Sequence, residues 1–166
     1  MSVLVDNQAG VLSRVSGLFS RRGYNIDSLS VGETEDPSIS RITVAVRGYE
    51  QILEQIANQV KKLVDCRGLV ELGADSSVCR ELALVKIAAK AADRSEIVGI
   101  VEIFRANIID VSAESITVEI TGDENKISAF TELMLPYGII ETARTGLTGL
   151  QRGQASLKEK TGTNVE

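Results

Sequence analysis

The feature that most constrains this chain is an order of elements, strand–helix–strand–strand–helix–strand, that occurs twice along it. Val3, Leu4 and Val5 make a short apolar strand, stopped by Asp6-Asn7-Gln8. Val11, Leu12, Val15, Leu18 and Phe19 then fall on one stripe of a helix. Arg21 and Arg22 lie in its last turn, where they complement the helix dipole, and Gly23 suits the position that ends it. A strand is expected over 24–32. The acidic run Glu33 to Asp36, with Pro37, turns the chain into Ile42, Val44 and Val46, which alternate with Arg41, Thr43 and Ala45. A helix over 50–64, with Ile52, Ile56, Val60 and Leu63 inward, and a strand at 69–72 complete the first set.

The second set begins with a strand over 81–89. Asp93 with Glu96 has the spacing of a capping box, and Ile97, Ile100, Val101 and Phe104 form the buried stripe of the helix that follows. Strands are expected over 107–112 and through Ile116, Val118 and Ile120. A helix opens at Asp123 and stops at Pro136, and a last strand covers 139–145. Two such units in series predict an α+β fold of two tandem ferredoxin-like βαββαβ domains, each an antiparallel sheet with two helices on one face. The expected domains are 1–74 and 80–150, with the small, polar residues 73–79 as linker and a flexible tail over 151–166. One face of each sheet is left uncovered by its helices, and such domains often complete themselves by pairing, so a homodimer or larger assembly is expected.

Composition narrows the function. The net charge is -5, and residues 75–150 carry seven Lys and Arg against twelve Asp and Glu. A phosphate-tracking nucleic-acid surface needs the opposite balance, and the 4% aromatic content leaves little for base stacking. No apolar run approaches the length of a membrane span, and no basic leader precedes Val3, so a cytoplasmic location is expected. Cys66 and Cys79 are too few for a disulfide framework, lack metal-site spacing, and read as half-buried thiols in a reducing compartment. The chain has no histidine, which removes the commonest general base and the commonest metal ligand. No catalytic residue and no metal ligand set is assigned, and no cofactor is expected in this chain.

The chemistry concentrates in Asp6-Asn7-Gln8-Ala9-Gly10-Val11-Leu12, the turn from the first strand into the first helix. A helix N-terminus offers unpaired amides and partial positive charge, a seat for a carboxylate. Gly10 has no Cβ to obstruct a ligand, Asn7 has both a donor and an acceptor, and Val11 and Leu12 add apolar contact. Local pattern alone favours an ordinary helix cap with a permissive glycine, since such starts are commonplace.

The run over 6–12 on this βαββαβ frame resembles the opening of an ACT domain. The longer stretch 12–29, together with Ser40-Arg41-Ile42-Thr43, residues 80–86, Ile103-Phe104-Arg105-Ala106 and Ala143-Arg144-Thr145-Gly146, resembles the small regulatory subunits of acetohydroxyacid (acetolactate) synthase. The resemblance implies a subunit with no active site of its own. It would bind and activate a catalytic large subunit holding thiamine diphosphate, a divalent metal such as magnesium, and FAD, and confer feedback inhibition by valine in branched-chain amino acid biosynthesis. It also implies that the effector sits between two N-terminal domains of a dimer, with Asn7, Gly10, Val11 and Leu12 from one protomer and Asn25 and Ile26 from the other. The alternative is a free-standing ACT-type amino-acid sensor acting on another enzyme or regulator. The second unit has Ala91-Ala92-Asp93-Arg94 where the first has its Asn-x-x-Gly turn, so no second effector site is expected there. Arg144-Thr145-Gly146 is left open as a partner-facing strand end, and Asp110, Glu114 and Glu119 show no cation-ligand spacing.

Overall fold

The periodicities of the first half produce six elements in the expected order. They are β1 (Ser2–Asp6), α1 (Val11–Arg21), β2 (Ile26–Glu33), β3 (Ile39–Val46), α2 (Glu50–Val60) and β4 (Cys66–Val70). The structure is a computed structural model, and it describes residues 1–21 and 23–157; Arg22 and the tail beyond 157 lie outside these. The sheet runs β2-β3-β1-β4, antiparallel throughout. Alternation in the strands and the 3.6 period in the helices point the same residues inward. Val3, Val5, Ile42 and Val44 meet Val11, Val15 and Phe19 of α1 and Ile56 and Val60 of α2. Each such side chain, fully removed from water, contributes about 1.5–3 kcal/mol. Gly23, at φ +71°, ends α1, and Tyr24 N–H closes the turn on Phe19 O at 3.1 Å.

The second half repeats the topology. It contains β5 (Ser77–Ala88), α3 (Arg94–Ile103), β6 (Asn107–Val111), β7 (Ser115–Gly122), α4 (Glu124–Met134), a 3-10 turn at Leu135–Tyr137 and β8 (Ile139–Arg144). The order is β6-β7-β5-β8, position for position that of the first sheet. Ile97 and Val101 of α3 and Ile127, Phe130 and Met134 of α4 pack on Val85, Ile87, Val118 and Ile120, with Phe104 edge-on to Phe130 at 5.5 Å. Two ferredoxin-like α+β units therefore stand in series, as the element order predicts.

The chain divides into Met1–Cys79 with the chain from Leu147 on, and Arg80–Gly146. Boundaries shift where a side chain finds a partner other than the local one. Ser77–Cys79, expected in the linker, open β5, because a further strand, β9 (Thr148–Gln151), pairs with it. The capping box at Asp93 does not form: its side chain makes no cap bond. Asp123 does cap, accepting from Lys126 N–H at 2.8 Å. The helix expected to reach 64 ends at Val60, and β4 begins at Cys66 rather than 69.

The face of the first sheet turned away from its helices carries Ser2, Leu4, Arg41 and Thr43, and the chain's own C-terminal segment lies over it. The Ser30 hydroxyl donates to Leu147 O at 3.0 Å, and Leu147 N–H donates to Ser28 Oγ at 3.3 Å. Arg152 holds Ser76 O through its backbone N–H and Ser77 O through Nε. Of the tail expected from residue 151, Gln151 ends β9 and Leu157 is buried, packed against Leu4 and Val70.

Candidate effector site

The turn between β1 and α1 is held open by bonds on every side of it. Asp6 N–H donates to Asp65 O at 2.9 Å, and the Asp6 carboxylate receives Arg67 Nε at 2.6 Å. That hydrogen bond holds the Arg67 guanidinium above its ordinary pKa. Asn7 N–H donates to Ser38 O at 2.7 Å, and Gln8 N–H to Asp6 O at 2.9 Å. Arg14, one turn into α1, forks onto Asp65, with Nε and Nη2 each 2.9 Å from a carboxylate oxygen. The first turn of the helix is thereby fastened to the segment leading into β4.

Gly10 has φ +86°, and a Cβ built there would meet nothing within 4 Å. The positive φ explains the glycine, and the empty space explains why a ligand can come close. Val11 N–H reaches back to Gln8 O at 3.3 Å, and Arg14 N–H starts the helical ladder on Gly10 O at 3.0 Å. The amides of Leu12 and Ser13 have no acceptor among the described residues. They are the unpaired donors that a carboxylate would satisfy.

The sequence-predicted residues do not all face this seat. Asn7 and Gly10 are exposed on it, and Leu12, 42% exposed, presents an apolar side chain beside it. Val11 turns inward, 2% exposed in the core under the sheet, so its contribution to the turn is backbone only. Asn25 and Ile26 lie at the opposite end of the unit. Ile26 starts β2 and Glu33, which touches Asn7, ends it, a separation of about 23 Å at strand rise. One protomer thus brings together Asn7, Gly10 and Leu12 but not Asn25 and Ile26.

Sequence reasoning missed the partners of Asn7. Its Nδ2 donates to Glu33 Oε1 at 3.1 Å and to Pro37 O at 2.9 Å. With two acceptors on one side, the amide nitrogen must lie there, and the carbonyl oxygen is turned away from them. The available signal was the turn itself, Glu33 through Ser38, in which Asp36 Oδ1 accepts from both Ser38 N–H and Ser38 Oγ. The arrangement offers donors to an anion at Leu12 and Ser13, an acceptor to a cation at Asn7, and a branched apolar wall at Leu12.

Elsewhere the chemistry is structural. In the second unit Arg94, the first residue of α3, donates to the Ser112 and Ala113 carbonyls between β6 and β7. Arg144, left open by the sequence, forks onto Glu81 Oε1 and Oε2 at 2.6 and 2.7 Å, and that bond raises the guanidinium pKa. Thr145 N–H donates to Leu82 O, and Leu82 N–H donates to Thr145 Oγ1. Glu119 accepts from Asn107, and no metal-binding cluster of His, Cys, Asp or Glu occurs among the described residues. Both cysteines are half-buried, and among the described residues no helix is long and apolar enough to cross a membrane.

Known proteins resemble this chain over both units. A family model described as the small subunit of acetolactate synthase matches residues 80–153, and one for the AHAS small subunit-like ACT domain matches residues 1–67. A probable acetolactate synthase small subunit of Archaeoglobus fulgidus is 50% identical over 153 residues, covering 92% of this chain and 96% of that protein. The acetolactate synthase small subunit of Bacillus subtilis is 48% identical over 155 residues, covering 92% and 90%. The crystal structure of the acetolactate synthase small subunit from Thermotoga maritima aligns with a TM-score of 0.85 at 42% identity, covering 93% of this chain and 96% of that one.

Proposed function

The chain belongs to the family of acetolactate synthase small subunits, and from that premise we propose that it is a non-catalytic regulatory subunit that binds valine at the Asn7–Leu12 turn and uses it to inhibit a catalytic large subunit. The observation that carries the site is Gly10. Its left-handed backbone and open surroundings place unpaired Leu12 and Ser13 amides where a carboxylate can reach them. The valine ammonium would meet Asn7 Oδ1 and the isopropyl group would lie on Leu12.

A second copy would complete the pocket. β2 is an edge strand of its sheet, with main-chain groups on its outer side available for pairing. Two β2 strands paired antiparallel about a point between Leu29 and Ser30 would set Ile26 of one copy opposite Glu33 of the other. Asn25 and Ile26 would thereby come beside the partner's Asn7 turn, as the family resemblance implies.

The large subunit would carry the thiamine diphosphate, magnesium and FAD, and association with this chain would raise its activity. Inhibition requires that valine bind one state of the complex more tightly than another, because equal affinity shifts no equilibrium. The free-standing sensor is the weaker reading, since it has no use for family likeness over residues 80–153. Valine calorimetry on the parent chain and on Gly10→Asp tests the site. The parent is expected to bind and the variant, with a carboxylate in the anion seat, to lose binding while its circular dichroism still reports a folded chain. Undiminished binding by Gly10→Asp would refute the assignment.

A further inference from the structure

We infer that Glu33 is a positioning residue of the effector site, which with the Pro37 carbonyl locks the Asn7 amide so that its oxygen faces the ligand. The inference rests on the reading of the Asn7 turn as an amino-acid site and adds a residue to it. A primary amide is nearly symmetric in shape, and a half-turn about its last torsion exchanges an acceptor for two donors. At a seat meant for an ammonium group that exchange matters, because the flipped amide presents N–H to N–H. Pro37 O, at 2.9 Å, supplies one acceptor for Nδ2, and Glu33 Oε1, at 3.1 Å, supplies the second. Together they saturate both amide hydrogens.

The turn that carries these two acceptors is built to hold still. Thr34 Oγ1 donates to Asp36 O at 3.0 Å and accepts from Asp36 N–H at 3.1 Å. Ser38 N–H and Oγ both reach Asp36 Oδ1, Ile39 N–H closes on Asp36 O, and Thr34 N–H reaches Ile39 O. Ser38 O in turn accepts Asn7 N–H, so the turn grips the Asn7 backbone as well as its side chain. Glu33 is the last residue of β2, paired with Ser40, which fixes its Cα relative to Pro37. The consequence is a ligand class. The site takes a ligand with a hydrogen-bond donor beside its carboxylate, an α-amino acid, and discriminates against the same carbon skeleton without the ammonium.

The test uses the full chain, with L-valine and its deamino analogue 3-methylbutanoate as probes, titrated by NMR against the parent, Glu33→Ala and Glu33→Gln. Glu33→Ala removes one acceptor, lets the amide flip, and is expected to weaken valine by about tenfold, the scale of a hydrogen bond to a charged group. Its weak affinity for 3-methylbutanoate should not change, because no ammonium is involved. Glu33→Gln keeps an acceptor oxygen, so valine affinity should return to within about twofold of the parent. Normal valine binding by Glu33→Ala would overturn the inference, as would Glu33→Gln binding as poorly as Glu33→Ala, or equal losses for both ligands. A parent chain that bound no valine would overturn the proposed function and this inference together.

Discussion

Single residues in the first unit have been assigned different environments by a few ångströms of backbone. Val11 and Leu12 are neighbours in sequence and equally apolar, yet one is 2% exposed in the core and the other 42% exposed on the turn. The sequence pattern puts both on one helical stripe; the structure keeps Val11 there with Val15 and Phe19 and leaves Leu12, about 100° further round the helix, exposed. Cys66 shows the same dependence on place. Burial pushes its thiol above the ordinary pKa, against weaker lowering effects from the Gly68 backbone and Lys61. A raised folded-state pKa means that the neutral thiol favours the fold below the ordinary thiol range, and that this contribution is lost as pH rises through the raised value. In a Cys79→Ser background, alkylation of Cys66 should therefore be slower than in the denatured chain at pH 8. It should keep accelerating with pH after the denatured thiol has levelled off. Equal rates in the two states at pH 8 would contradict the burial argument.

At the scale of elements, strand and helix identities were legible because the 2.0 and 3.6 periods are unmistakable in runs such as Ile42–Val46 and Val11–Phe19. What was not legible is what touches what across long separations. The capping signature at Asp93 and Glu96 is present in the sequence, yet Asp93 makes no side-chain cap bond. The return of the chain over the first sheet was invisible. Ser28 and Ser30 hold Leu147, and Leu157 buries itself on Leu4, with no local signal to announce either contact. The tie between β5 and β8 belongs here as well. Glu81 is 4% exposed, and Arg144, 46% exposed, supplies its counter-charge. Arg144→Met should cost about 2 kcal/mol, less than a fully buried pair because water reaches the guanidinium. Glu81→Leu combined with Arg144→Met should recover most of it. Urea melts measure both, and a loss under about 0.5 kcal/mol in the single variant would show the pair to be incidental.

At the scale of the whole molecule, pairing of copies edge to edge or face to face was expected, and the first unit favours the edge. The face of the first sheet that its helices leave bare is overlaid by the chain's own segment from Leu147 to Leu157, so it is not free to pair with another copy. The edge strand β2 remains available, and it carries Ile26 at one end and Glu33 at the other. Half of the candidate site was readable in the sequence, at Asn7, Gly10 and Leu12. Asn25 and Ile26 lie a strand's length away, and local pattern gave no reason to join them to the turn; family resemblance did. The two units share one topology, yet the first has Gly10 open at the start of its first helix where the second has Arg94 bonded to the Ser112 and Ala113 carbonyls. The most direct test mixes the full chain with an acetolactate synthase large subunit and follows acetolactate formation with and without valine. The proposed function predicts that the chain raises the rate and that valine lowers it again only when the chain is present. A rate unaffected by the chain, or valine sensitivity of the large subunit alone, would contradict it.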